Sequence, residues 1–371
     1  MILKENNYII TIVFILVFII QFIIGNTLIS MDLNKLYWLM YFTLVIIIST
    51  KLKISDIAFR KERFFLYICI LGAASTYLMG VKYGMVFLKI LSIYTGFVGY
   101  IYLSKNKIDL RFFSLLMILL YIYFSQVYFS EKTFMTDTDN EYNLFGHSSS
   151  NLISQALNGV LMFYYIINKK QNGGHLRLLL LFSFVNLIFI VIQASRIGVF
   201  VSVLLSIMIL YDNYKKDGKN RFVYFALVIF VIAFCISRMS LIDKYILLVF
   251  DENINNYEED CRAIARMAFF DQMTITTAIF GAIPGTTYGV LGRTFNAFLD
   301  FWANYGIFPV LVLLYNCILR CLNRHLYIVP LYMLFPLCLY SFVETYWGNT
   351  LWDIWIFIAL YYSKDTSIIK N

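Results

Sequence analysis

Charge is what this sequence has least of. Only 14% of its 371 residues are Asp, Glu, Lys or Arg, against 61% hydrophobic residues and a mean hydropathy of +0.74. A soluble domain of this length needs far more polar surface. Other absences narrow the field further. The six cysteines, at 69, 235, 261, 317, 321 and 338, include no C-x-x-C pair. Cys317 and Cys321 share a helix face, but two such thiols alone rarely make a metal site, and they read as small packing residues. No A-x-A cleavage site follows the first apolar stretch, so Tyr8–Ile24 reads as a retained helix rather than a removed leader. No internal repeat is visible.

Long apolar runs fill the space these absences leave. They recur at about Tyr8–Ile24, Leu36–Ser49, Phe64–Met79, Met85–Leu103, Leu110–Phe129 and Leu152–Ile167. Six more follow at about Leu176–Ile192, Ile197–Tyr211, Phe222–Ser237, Ala297–Leu319, Leu326–Val343 and Leu351–Tyr362. Most are long enough to cross a bilayer, though the second and eighth are short. Tyr and Phe, abundant here, suit helix ends at the lipid–water boundary. The expectation is an all-α, polytopic membrane protein of about twelve transmembrane helices, one transmembrane domain over residues 1–371.

Loop charges orient it. With the N-terminus inside, the inner segments hold 20 of the 30 Lys and Arg and only seven acids; the outer side holds ten bases and fifteen acids. That is the positive-inside asymmetry, and it places both termini in the cytoplasm. It also accounts for the net charge of +8 through anionic lipid headgroups, with no nucleic acid needed. Gln272–Gly292 is apolar enough to resemble another span but carries Pro284 and four glycines. Were it to cross, Arg320, Arg324, Lys364 and Lys370 would move outside. The better reading is one long outer loop, residues 240–296, between helices nine and ten, in which 272–292 dips into the protein near the membrane. Irregular backbone at that depth survives only under cover of protein or a wet cavity.

Chemistry-bearing residues gather on the outer side. Arg196 stands in the tight turn between helices seven and eight, where a guanidinium near hydrocarbon costs on the order of 3 kcal/mol. It either snorkels to the interface or binds something. Arg262 and Arg266 stand four apart, on one face if this stretch is helical, after the acidic run Glu258-Glu259-Asp260. A solvated helix with Glu258 paired to Arg262 is the plainer alternative. Arg293 and Asn296 open the tenth helix, with Asp300 one turn further on, and a helix N-terminus beside an Arg suits an anion such as diphosphate. His147, beside three serines, is the one histidine placed outside and a candidate base. Asp137-Thr138-Asp139 resembles a metal-binding D-x-D, but nucleotide sugars are not expected outside the cell, so it reads as a solvated acidic loop.

Four patches, in order, resemble the O-antigen polymerase and ligase superfamily of bacterial envelope enzymes. They are Gly146–Asn151 (GHSSSN), Ser195–Gly198 (SRIG), Arg262–Arg266 with Phe280–Gly285 (FGAIPG), and Arg293–Gly306 (RTFNAFLDFWANYG). The likeness spans most of the chain and rests on order, spacing and topology. One departure is Phe295, where many members carry a histidine before the asparagine; the base proposed for the ligases therefore has no counterpart, which favours a polymerase. The resemblance implies transfer of a glycan from undecaprenyl diphosphate to the next lipid-linked repeat unit, making O-antigen, capsule or exopolysaccharide. It implies no cofactor or obligatory metal. Partners would be the lipid-linked oligosaccharide and membrane lipid, with room for a chain-length regulator and a flippase. Arg196, Arg262, Arg266, Arg293 and Asn296 would hold the diphosphate, and His147, Asp300 or Glu258 would serve as base. A flippase for the same units, or a ligase, are the alternatives.

Overall fold

The computed structural model describes residues 60–105, 108–131, 150–171, 174–192, 196–216, 261–281, 296–323, 338 and 354–362. The apolar runs Tyr8–Ile24, Leu36–Ser49 and Phe222–Ser237, and all of Leu326–Val343 but Cys338, lie outside them. Among the described residues every regular element is a helix. The chain packs as two compact units, Met1–Ser149 with Ile264–Asn371, and Ser150–Ala263.

In the first unit, α1 (Arg60–Leu78) and α2 (Tyr83–Lys105) form a hairpin. Its turn follows from one glycine. Gly80 takes φ 90°, and the N–H groups of Gly80 and Val81 close onto the carbonyls of Tyr77 and Thr76, so the last orphan carbonyls of α1 are satisfied by the chain's own reversal. α3 (Leu110–Glu131) starts where the Asp109 carboxylate accepts the Arg111 N–H at 3.0 Å, an ordinary N-terminal cap. Four shorter helices follow late in the chain. These are α7 (Cys261–Asp271), which begins just before the unit boundary, α8 (Ile275–Phe280), α9 (Ala297–Tyr305) and α10 (Ile307–Leu322); α11 (Ile354–Tyr361) closes the unit. Its core is aromatic. Phe357 of α11 meets Phe65, Phe97 and Tyr100 at ring-centroid distances of 5.7, 5.6 and 6.1 Å.

The described part of the second unit is a bundle of α4 (Ser150–Lys170), α5 (Leu176–Ile192) and α6 (Arg196–Lys216). Its contacts set the helix directions. Asn158 donates to the Gly198 carbonyl near the start of α6. Further along both helices, Tyr165 and Lys169 reach Asp212. So α4 and α6 run parallel, and their N-termini share one end of the bundle. Buried amides join the helices: Asn186 donates to Asn158 at 2.7 Å and Asn213 to the Leu176 carbonyl at 2.9 Å. In lipid such bonds average about 0.6 kcal/mol each.

Two helices, Val86–Lys105 and Ile197–Lys216, are long and apolar enough to cross a membrane. At 1.5 Å per residue each covers roughly 30 Å, the thickness of a bilayer's hydrocarbon core. Leu110–Tyr123, Leu176–Val191 and Ile307–Leu322 are apolar but shorter. The outer faces of several helices are apolar as well. Phe64, Tyr67, Leu71 and Leu78 form an exposed stripe on α1; Phe200, Val203, Ile207, Tyr211 and Tyr214 do so on α6. Helices of a water-soluble protein turn polar residues outward at this spacing.

One predicted span is corrected. Ala297–Leu319 reads in the sequence as a single helix, but the chain breaks at Gly306, which takes φ 78° and ψ −178° between α9 and α10. Apolarity runs straight through the break, so periodicity alone could not show it.

A candidate functional site built around two glycine turns

The stretch expected to dip, Gln272–Gly292, is described as far as Gly281. Its helix α8 is only six residues long and is held at both ends. Thr274 and Thr277 form a reciprocal capping box at the start. At the other end Gly281 takes φ 78° and ψ −151°, a region essentially closed to residues with a Cβ. Carbonyls left open by so short a helix find side chains from elsewhere. Trp302 Nε1 of α9 donates to the Ala278 carbonyl at 2.7 Å, and Ser75 Oγ of α1 donates to the Phe280 carbonyl at 3.0 Å. Irregular backbone is thus satisfied by protein, as a low-dielectric setting demands.

Three glycines let the backbones meet. A Cβ on Gly306 would fall 2.5 Å from the Ile279 carbonyl oxygen; one on Gly281 would fall 2.9 Å from both the Ala303 oxygen and the Gly306 nitrogen. On Gly72 of α1 it would meet the Tyr305 oxygen at 2.1 Å. Against this crossing sits α9. Asn296 caps it, its Oδ1 accepting the N–H groups of Phe298 and Leu299 at 3.0 and 3.2 Å. Such a cap is worth about 1 kcal/mol. Asp300, buried in the first turn, sits where an acid is favoured by the helix dipole. The α7 helix packs against the same element, with Phe269 and Trp302 rings 6.2 Å apart.

The expected site residues divide accordingly. Asn296 and Asp300 are one turn apart on α9, joined by the Asp300 N–H to Asn296 carbonyl bond at 2.9 Å. Arg262 and Arg266 do lie on a helix, α7, four positions apart and therefore on one face. Arg266 is half-buried, and its guanidinium has neither hydrogen bond nor ion pair among the described residues. In the other unit Arg196 is the first residue of α6, at the end of the bundle where α4 also begins. The described ends of two patches, Ser150 and Asn151 of the first and Arg196–Gly198 of the second, thus lie at one pair of parallel helix N-termini. His147, Glu258 and Arg293 lie outside the described residues. No group of three or more His, Cys, Asp or Glu among the described residues stands ready to hold a metal ion.

Sequence reasoning passed over four residues at the first unit's junction. Gly72, Ser75 and Trp302 gave no signal beyond their place in apolar runs, because their roles are contacts across the fold. Lys89 was one of ten outer bases in the charge count. A lysine within a long apolar run could have been singled out, since an ammonium at a membrane helix centre costs about 2.5–3.5 kcal/mol on insertion scales.

Comparison with known proteins finds no matching protein family, no matching characterised protein and no matching solved structure.

Proposed function

We propose that this chain is a multi-pass protein of the bacterial cytoplasmic membrane, of about twelve spans with both termini inside, that polymerises lipid-linked glycan repeat units at the outer face. The reading is carried by the order and spacing of the four patches resembling the O-antigen polymerase and ligase superfamily. Supporting it are the shared bundle end of Ser150–Asn151 and Arg196–Gly198, and the seating of the loop-arginine helix α7 against α9, which bears Asn296 and Asp300.

The acceptor hydroxyl attacks the anomeric carbon of the growing chain. A new C–O bond forms, the bond to the lipid diphosphate breaks, and that diphosphate departs with its electron pair. The hydroxyl proton passes to a base, for which His147, Asp300 and Glu258 are the candidates. Negative charge builds on the leaving group, and Arg196, Arg262, Arg266 and Arg293 would meet it, since a guanidinium binds two phosphate oxygens at once and stays charged.

Lysine replacements test this. Arg196→Lys, Arg266→Lys and Arg293→Lys keep the charge but lose the fork, so polymer synthesis at matched protein level should fall roughly a hundred- to a thousandfold. A snorkelling Arg would tolerate Lys. Near-normal polymer from all three variants sinks the arginine mechanism. One observation favours a second reading: helices broken at Gly281 and Gly306 are a device that transporters use. Deleting a polymerase leaves single repeat units on the outer face; deleting a flippase strands them on the cytoplasmic face.

A further inference from the structure

We propose that the exposed apolar flank formed by Met267 and Phe270 of α7 and Ile275 of α8 seats the polyprenyl chain of a lipid diphosphate whose head lies at Arg266. This deepens the polymerase reading and rests on it, since it names the path of that donor's chain. One face of α7 is fixed by packing. Phe269 is fully buried with Ala303, and Met273, Leu299 and Trp302 pack against them. At about 100° per residue, Arg266 stands roughly 60° round the helix from Phe269, and Phe270 roughly 40° beyond Arg266. Met267 comes about 60° further on, and Asp271 bounds the flank on the side away from Arg266. Arg266 is therefore half-buried at the margin of the packed face, and the apolar flank begins beside it. The turn into α8 is held by the Gln272 and Met273 N–H groups on the carbonyls of Ala268 and Phe270, at 3.1 and 3.2 Å. Ile275 then opens α8 at 83% exposure.

Exposed apolar residues on α6 need no cover beyond the bilayer, because that helix is long enough to cross it. α7 is not. Its eleven residues cover about 16 Å, roughly half the hydrocarbon thickness. Yet more than half of Met267 and of Phe270 lies open, where water would oppose it. A guanidinium at the edge of an apolar flank fits an amphiphile with a phosphate head, because the planar fork takes two phosphate oxygens at once. A flank this narrow admits one chain. A polyprenyl diphosphate has one, whereas a bilayer phospholipid brings two.

The full chain in phosphatidylcholine nanodiscs is photolabelled with undecaprenyl diphosphate bearing a diazirine in the isoprene units nearest the head. A parallel sample receives phosphatidylcholine with a diazirine in one acyl chain, and marked residues are read by peptide mass. The diphosphate probe should mark the Met267–Ile275 flank of the wild type and lose that mark to excess unlabelled undecaprenyl diphosphate. The phosphatidylcholine probe should mark Phe200, Val203 and Ile207 of α6 but the flank only weakly. Arg266→Gln loses a charge-assisted contact, so subsaturating diphosphate probe should mark its flank roughly ten- to a hundredfold less. Unchanged phosphatidylcholine marking of α6 shows that the variant is folded and inserted. Equal marking of the wild-type flank by both probes makes it bilayer-facing and overturns the proposal. A flank marked by neither probe overturns it too, as when another segment of the chain covers these residues. Undiminished marking of Arg266→Gln overturns the placement of the head. None of these readouts involves polymer. A marked flank with normal polymer from the Lys variants leaves the chain path standing and sinks the arginine mechanism; polymer lost with an unmarked flank does the reverse.

Discussion

Glu62 shows how much a single carboxyl can depend on its surroundings. It sits in the first turn of α1, at the end assigned to the cytoplasm, yet it is buried, with the Tyr100 hydroxyl 3.3 Å from Oε1. Burial raises its pKa above the ordinary 4.5, and the Tyr100 bond and the charges of Lys61 and Arg63 only partly oppose this. The sign follows. Just above pH 4.5 the folded chain holds this proton more tightly than the unfolded chain, so stability is lost as pH rises through the folded pKa. Glu62→Gln removes that dependence while keeping an acceptor for Tyr100. Thermal midpoints of the purified protein should fall more steeply with pH in wild type than in Glu62→Gln over the range starting at 4.5. Parallel profiles would mean that the carboxyl is not shielded as the structure has it.

At the level of the element, the decisive feature is the pair of turns at Gly281 and Gly306. Both hold φ 78° with extended ψ, and both lie against backbone rather than flexible side-chain ends. Alanine at either meets two costs: a conformation disfavoured by about 1–3 kcal/mol and a clash that only backbone movement relieves. Gly306→Ala should therefore lower the thermal midpoint or abolish accumulation. Gly84→Ala is the control, because a Cβ there meets nothing within 4 Å and the residue is helical. Alanine in a helix is favoured by up to about 1 kcal/mol over glycine. Equal behaviour of the two variants would show that the junction tolerates a side chain and is not the close crossing described.

For the whole molecule, the proposed orientation underlies every functional statement, and it rests on the expected split of 20 inner and ten outer bases. A cysteine placed near Asn255 should be labelled by a membrane-impermeant thiol reagent in intact cells, and one near Lys216 should not. Labelling at Lys216 alone, or at both, would reverse the outer-face site. Exposed stripes such as that on α6 predict more: charged substitutions along Phe200, Val203 and Ile207 should impair insertion rather than activity at matched abundance.

Much of the architecture was legible in the sequence because hydrophobic length is a local property. The run Leu176–Ile192 coincides with α5, and those at Met85–Leu103 and Ile197–Tyr211 fall within α2 and α6. The candidate site was legible where chemistry is local too: Arg262 and Arg266 share a helix, and Asn296 caps one, as the residue types suggested. What the chain alone could not reveal is what depends on a second segment. The break at Gly306 lies inside an unbroken apolar run, and it is held because Gly72 and Gly281 bring two other backbones against it. Trp302 reads as one more core aromatic until its indole N–H is seen on the Ala278 carbonyl. Lys89 counts as a loop-side base until the packed helices leave it only 8% exposed. Helix formation in lipid follows from the apolarity of consecutive residues, whereas a close crossing or a buried charge is a relation between residues far apart in the chain, decided only when the helices pack.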